Sequence, residues 1–206
     1  NVTGLLAKKN TDTLTSIFKE FEQLGYNLDA RVLSSEEYGV PEKRRRTIIM
    51  GTKNRAAPSF PHITHGKRGH LPTKTVNEAF SNLTMSNGEY LNHSIEKASI
   101  SKEEDRLRIA HIPEGRGIRY QKDEEQFLPL ELRYKVDWTQ LREGRFRQTR
   151  LQRLDGSLPS PTILTSRTTY FHPTENRHLT VREAAACQSF PNDFNFTGSQ
   201  TSQFRQ

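Results

Sequence analysis

Residues 37–51, Glu37-Tyr38-Gly39-Val40-Pro41-Glu42-Lys43-Arg44-Arg45-Arg46-Thr47-Ile48-Ile49-Met50-Gly51, run from a turn through four consecutive cations into an apolar segment. Tyr38-Gly39-Val40-Pro41 has turn chemistry, with glycine supplying backbone freedom and proline a fixed φ. Thr47 to Gly51 predicts a strand, and its unbroken apolar character predicts a more buried one than its neighbour upstream. Read in isolation, the cations are equally compatible with a solvated basic turn. Their meaning depends on what precedes and follows them.

Upstream, Leu14, Ile17, Phe18, Phe21 and Leu24 recur at helical spacing, with Thr11 or Asp12 as N-cap and Gly25 as the stop. Tyr26, Leu28, Ala30 and Val32 then alternate with polar neighbours, as a strand does. Residues 1–51 therefore read as helix, strand, strand. Downstream, from Thr52 to Gly156, glycine, proline and charge interrupt almost every segment. Two helices stand out there: a short one behind the capping box Thr75-Val76-Asn77-Glu78, and one near Lys102–Ala110, whose Glu103, Glu104 and Asp105 suit the positive end of a helix dipole. Thr180-Val181-Arg182-Glu183 is a further capping box and predicts a helix that runs to about Phe190, where Pro191 stops it. The polar tail beyond shows no structural terminus, so the expectation is a chain cut at both ends.

Composition narrows the function classes. Of 206 residues, 32% are hydrophobic and 27% charged, which implies a sparing core with long polar loops. Thirty-one Lys plus Arg against 24 Asp plus Glu leave a formal charge of +7, which favours an anionic partner, nucleic acid before membrane. No apolar run approaches the roughly 20 residues of a membrane-spanning helix. One cysteine excludes an intrachain disulfide, and a reducing cytosol is expected. Asn-x-Ser/Thr matches at Asn1, Asn82, Asn92 and Asn195 read as chance, without a signal peptide to expose them. Seven histidines show no zinc-ligand spacing, so no metal is expected. His172, before Pro173, reads as a structural hydrogen bonder. Cys187, behind Ala184-Ala185-Ala186, reads as a small apolar residue on a packed helix rather than a nucleophile.

The order of the segments carries more than any one of them. Asn1-Val2-x-Gly4-Leu5-Leu6, Leu24-Gly25-Tyr26, and Tyr38-Gly39-Val40-Pro41 with Arg44 and Arg46 before Ile48-Ile49-Met50-Gly51 resemble the DNA cytosine-5 methyltransferases. Pro159-Ser160-Pro161-Thr162-Ile163, Tyr170-Phe171-His172-Pro173, Arg177 through Ala184 and Gln188-Ser189-Phe190-Pro191 resemble that family's late motifs, in the same order. The resemblance spans essentially the whole chain and is weakest between Thr52 and Gly115.

The resemblance implies an enzyme in which a cysteine attacks C6 of a flipped cytosine and S-adenosylmethionine supplies the methyl group. It implies that the base-contacting glutamate precedes residue 1, with the Pro-Cys loop and the cofactor loop further upstream. This chain is then the C-terminal half, expected to be inactive alone and to bind no cofactor by itself. Its partners are double-stranded DNA and the missing N-terminal catalytic half, in a bacterial cytoplasm. The family's Gln-x-Arg-x-Arg motif falls on Glu42, Arg44 and Arg46. Arg46 inherits the contact to the cytosine O2, and Arg44 supports the site or a phosphate. Glu42 replaces the family's usual glutamine with an anion able to pair with a neighbouring arginine.

The expected fold is α/β: residues 1–51 as the C-terminal portion of a Rossmann-like methyltransferase domain, 52–176 as a mixed, loop-rich target recognition lobe, and 177–206 as a late helix and tail. Within the lobe, Arg145, Arg147, Arg150 and Arg153 are expected on DNA beside Tyr120, Tyr134, Trp138 and Phe146 as apolar anchors, together with Thr162, where the family sets a threonine against the backbone. The competing reading is a stand-alone DNA-binding remnant or specificity subunit without catalysis, and RNA methylation is a lesser alternative.

Overall fold

The computed structural model describes residues 6, 10–53, 56–81, 83 and 91–206. Of the Asn1–Leu6 motif, only Leu6 falls among them, and Asn82 also lies outside.

Helix α1, Thr11–Gln23, starts behind Asn10 as N-cap, one residue before the expected Thr11 or Asp12. It stops where expected. Gly25 takes φ +83° and its amide donates to the Glu22 carbonyl, while the Tyr26 amide reaches back to Phe21. This paired closure of a helix end needs a residue in the left-handed region, which glycine enters without a Cβ clash. Strand β1, Asn27–Ser34, follows. A 3-10 turn, Ser35–Tyr38, ends at Gly39 with φ +84°, and β2, Glu42–Lys43, leads into β3, Arg45–Thr52. β1 and β3 form an antiparallel ribbon in which Ser34 faces Arg45 and Asn27 faces Thr52.

The expectation that β3 is the more buried strand is not met. Thr47 alone is buried in it, and Ile48, Ile49 and Met50 are partly exposed. The apolar stripe of α1 likewise contains no buried residue, with Phe21 and Leu24 exposed. Ribbon and helix present apolar faces that the described residues leave uncovered.

The rest of the chain builds around two larger hydrophobic clusters and a smaller one. Helices α2, Val76–Ser81, and α3, Glu103–Ile109, appear at the predicted places. The Thr75 box is formed, with the Glu78 amide on the Thr75 hydroxyl at 3.2 Å and the Thr75 amide on the Glu78 carboxylate at 2.6 Å. Strand β4, Ile118–Tyr120, helix α4, Gln121–Phe127, and strand β5, Arg145–Arg150, enclose the first cluster, which includes Ile109, Ile118, Leu128, Trp138, Phe146 and Leu151. β6, Gln152–Arg153, pairs in parallel with β8, Tyr170–Phe171, and β7, Ser160–Pro161, pairs in parallel with β2. The second cluster joins Val76, Leu154, Ile163, Tyr170, Leu179, Ala184 and Cys187, so it crosses the expected division at 176/177.

Helix α5, Val181–Cys187, opens with the predicted box: the Glu183 amide donates to the Thr180 hydroxyl at 3.1 Å and the Thr180 amide to the Glu183 carboxylate at 2.8 Å. It ends earlier than Pro191 would require. Ser189 adopts φ +61°, its amide donating to the Ala186 carbonyl and that of Phe190 to Ala185, a closure made by the backbone before proline is reached. The tail is ordered as well. Phe196 packs on Val181 and Ala185, and α6, Gln200–Gln203, follows. The Arg182 guanidinium is buried beneath the tail, donating to the carbonyls of Leu91, Pro191 and Phe194. No helix among the described residues is long and apolar enough to cross a membrane.

Candidate nucleic-acid interface

The basic loop at residues 43–46 is held by the short parallel seam of β2 and β7. Glu42 lies opposite Ser160 and Lys43 opposite Pro161. The Ser160 amide donates to the Pro41 carbonyl at 2.9 Å, and the Thr162 hydroxyl to the Lys43 carbonyl at 2.9 Å. The Ser35 hydroxyl donates to the Glu42 carbonyl and accepts the Arg44 amide at 3.0 Å. The buried Glu42 side chain completes the seam, its Oε1 accepting the Ile163 amide at 2.6 Å with the Arg44 Nη1 3.9 Å away. Burial raises the pKa of this carboxyl above the ordinary carboxylate value, against the opposing Ile163 hydrogen bond and the fields of Arg44 and Arg46. The pairing with an arginine expected of Glu42 is therefore present, although the seam is its firmer tie.

This seam opens onto a solvent-accessible cleft of about 1220 Å³. Arg44, Arg46, Thr162, Arg147 and Arg150 all line it, so five of the seven residues singled out from the sequence converge although they span more than 100 positions. Among the described residues Arg46 makes one guanidinium bond, Nη1 to the Arg45 carbonyl at 2.8 Å. Arg150 lies over the Phe146 ring, 5.2 Å from its centroid. Lys102 and Arg119 add positive charge, Arg108 is paired there with Glu104 and Asp105, and the threonines at 149, 165, 168 and 169 add hydroxyls. Cations and hydroxyls around an open groove suit an extended polyanion.

Two arginines do not join them. Arg145 is outside the cleft lining and is held by Glu143, with Nε to Oε2 at 2.7 Å and a second bond from Nη2. The DNA-contacting assignment of Arg153 is corrected outright. Its side chain is buried, and its five N–H groups go to the carbonyls of Ile109, Ile112, His172 and Glu175 and to Asn176 Oδ1, at 2.6–2.9 Å. A guanidinium with every donor committed has none left for a phosphate.

Of the aromatic anchors, Trp138 is reassigned to the core, whereas Tyr134 and Phe146 serve the core and also line the cleft. Trp138 and Phe146 belong to the first core cluster and Tyr134 packs against it, with the Trp138 Nε1 donating to Glu124 Oε1 at 2.7 Å. Burial, with Asp105 adding to it, pushes the Tyr134 hydroxyl up to about 12. Tyr120 alone of the four is exposed. An aromatic residue between arginines fits a hydrophobic core as well as a DNA anchor, and Trp138 is the one of the four that packing alone assigns to the core.

The two residues read as structural behave so. His172 Nδ1 accepts the amides of Thr174 at 3.3 Å and Glu175 at 3.1 Å, and burial lowers its pKa, which keeps the ring neutral and that nitrogen an acceptor. Cys187 is fully buried and its thiol is pushed up to about 12. No group of three or more metal-ligating side chains occurs among the described residues. What the sequence reading passed over is Gln148, an exposed neutral amide on the cleft wall. A single glutamine in an arginine-rich stretch has no pattern of its own.

Residues 1–206 match the family model for C-5 cytosine-specific DNA methylase. The chain is 29% identical to the type II methyltransferase M1.HphI of Haemophilus parahaemolyticus and 32% identical to M.NgoFVII of Neisseria gonorrhoeae. Each match covers 100% of the chain, and respectively 50% and 52% of the relative. The chain thus spans about half the length of these curated relatives. Among solved structures, a DNA modification methyltransferase encoded within an Escherichia coli prophage superposes with TM-score 0.54 at 22% identity, over 100% of this chain and 62% of that one, which shows a shared fold.

Proposed function

Given that the chain belongs to the C-5 cytosine-specific DNA methylase family, we propose that it is the DNA-binding and base-orienting half of a DNA cytosine-5 methyltransferase that moves a methyl group from S-adenosylmethionine to a flipped cytosine in duplex DNA. The observation that carries this reading is the cleft itself. Arg44 and Arg46, which match the family's base-orienting motif, share it with Thr162, Arg147 and Arg150. A binding remnant without catalysis has no need for the first two in that place.

In this reading, Arg46 donates to the ring carbonyl of the extruded cytosine, where a preorganised guanidinium stabilises negative charge as a nucleophile adds to C6. Arg44 holds a neighbouring phosphate or supports Arg46. Arg147, Arg150 and Thr162 hold the duplex, and residues 52–176 act as the recognition lobe. The cleft does not fit the cofactor: Lys102 and six arginines outnumber Glu104 and Asp105 on its walls and repel a sulfonium, so S-adenosylmethionine is assigned to the other half of the enzyme. The uncovered apolar faces of α1 and the β1–β3 ribbon support the same division, because they suit the end of a Rossmann-like domain that docks onto its remainder. Action on DNA in a bacterial cytoplasm follows from this reading.

The test is methyl transfer from labelled cofactor to duplex DNA, with bisulfite sequencing of the product. The chain alone should transfer nothing, and mixing it with an upstream half that carries the Pro-Cys and cofactor loops should restore transfer at one site. Incorporation by the chain alone would overturn the split. Duplex binding with no transfer in any mixture would favour the specificity-subunit reading, and preference for tRNA over DNA the RNA one.

A further inference from the structure

Strand β5 departs from a regular ladder where it faces the cleft. Its pairing with β4 sets Arg150 opposite Ile118 and Arg145 opposite Tyr120, so five residue steps on β5 run beside two on β4. The three-residue surplus lies between Arg145 and Arg150 and forms an extended bulge. In a regular strand, consecutive side chains point to opposite faces. Here Phe146 is buried in the core, whereas Arg147 and Gln148 are both exposed and both line the cleft. The bulge sits closely over Gly117, where an added Cβ would come within 2.6 Å of the Thr149 Cγ2 and 2.9 Å of the Arg150 carbonyl. Bulges commonly re-aim a side chain in this way.

Gln148 differs in chemistry from the cations around it. Its side chain has no hydrogen-bond partner among the described residues, so donor and acceptor are both free. A carboxamide contributes nothing to neutralising phosphate. It offers a donor and an acceptor side by side, the arrangement that matches the N7 acceptor and N6 amino group on the major-groove edge of adenine. A two-stranded ribbon such as β4–β5 is narrow enough to enter that groove.

We propose that the β5 bulge is a base-reading element and that Gln148 determines specificity at one base pair of the recognition site, by paired hydrogen bonds to the adenine of an A·T pair. Arg147 beside it supplies charge that anchors the ribbon. The proposal rests on the duplex-DNA reading above and adds to it which side chain reads sequence.

The experiment is equilibrium selection by the 206-residue chain from a randomised duplex library, with sequencing of the bound fraction and a salt titration on the selected site. Wild type is compared with Q148A and R147A, with thermal melting to verify folding. Since Gln148 is exposed and unbonded, Q148A should melt like wild type. It should lose preference at one A·T position by about 5- to 150-fold, the range for one bidentate base contact, with an unchanged salt slope. R147A should keep the motif and show a shallower slope. An unchanged motif for Q148A, relaxation at a G·C position, or uniform weakening with a shallower salt slope each overturns the assignment. A wild-type chain that binds duplex but selects no sequence also overturns it while leaving the DNA reading intact. Failure of wild type to bind any duplex removes both.

Discussion

Arg46 and Arg153 carry the same guanidinium and meet opposite fates. Among the described residues Arg46 uses one donor, to its neighbour's carbonyl, and it lines an open cleft. In the reassembled enzyme, Arg46→Ala should lower the single-turnover methylation rate on the order of 10²- to 10³-fold, as removal of a donor aimed at developing charge does elsewhere. Duplex affinity should hardly change, because other cations remain. A folded Arg46→Ala enzyme that methylates at the wild-type rate would make Arg44 the next candidate. Arg153→Ala should act on stability instead, leaving the Ile112 and His172 carbonyls and Asn176 Oδ1 without this donor, while the Ile109 and Glu175 carbonyls keep the amides of Ile112 and Arg177. An unsatisfied buried acceptor costs about 1–3 kcal/mol, so with the Ile112 carbonyl buried and that of His172 half-buried a loss on the order of 2 kcal/mol is expected in urea unfolding. Arg153→Lys should recover only part of it, since one ammonium cannot reach five acceptors.

Among the elements, α5 depends most clearly on its start. Its seven residues are too few to form a helix by propensity, and it persists because its capping box is closed and its faces are packed. Thr180 also receives or donates a hydrogen bond to His93 Nδ1 at 2.9 Å, and Glu183 holds Arg177 through two bonds at 2.8 and 2.7 Å. Thr180→Ala should therefore lower stability by about 1–2 kcal/mol, at the upper end for an N-cap, and Thr180→Ser should restore most of it. A fall in melting temperature equal for Ala and Ser would show that the methyl group matters rather than the cap. Gly39 tests the turn before β2. With φ +84° and an added Cβ 2.7 Å from the His65 ring, Gly39→Ala should shift the melting temperature downward by several degrees.

At the scale of the whole molecule, the chain carries a net charge of +7, and several of its cations share one cleft. Arg44, Arg46, Lys102, Arg119, Arg147 and Arg150 surround one cleft, whereas Arg153, Arg177 and Arg182 are buried in the fold. Binding through ~6 phosphate contacts should weaken by about 10³-fold between roughly 50 and 200 mM salt. Removing a cleft arginine that contacts phosphate, such as Arg147 or Arg150 but not Arg46, should reduce the slope of log affinity against log salt by about 0.9, and truncating an arginine paired on the surface, such as Arg145 with Glu143, by less. Filter binding across a salt series measures both. A salt-independent affinity would rule out phosphate neutralisation as the source of binding.

Local chemistry alone determined α1 with its Gly25 stop, the boxes that start α2 and α5, and the turn at Gly39, because caps and glycine closures involve residues within one helical turn of each other. Motif order determined the family and singled out Arg44 and Arg46, whose position on the cleft only the tertiary structure gives. Burial needed the tertiary structure. Whether Ile48 or Trp138 has a covered face depends on segments far away in the chain, as the exposed β3 and the core position of Trp138 show. The fate of each arginine was decided in the same way. Arg147 and Arg153 stand six positions apart in one arginine-rich run, but β5 leaves its ladder on a bulge and β6 turns to pair with β8. The first side chain is thereby aimed at the cleft and the second at a ring of carbonyls from residues 109, 112, 172 and 175, a difference set by partners that lie up to 44 residues away.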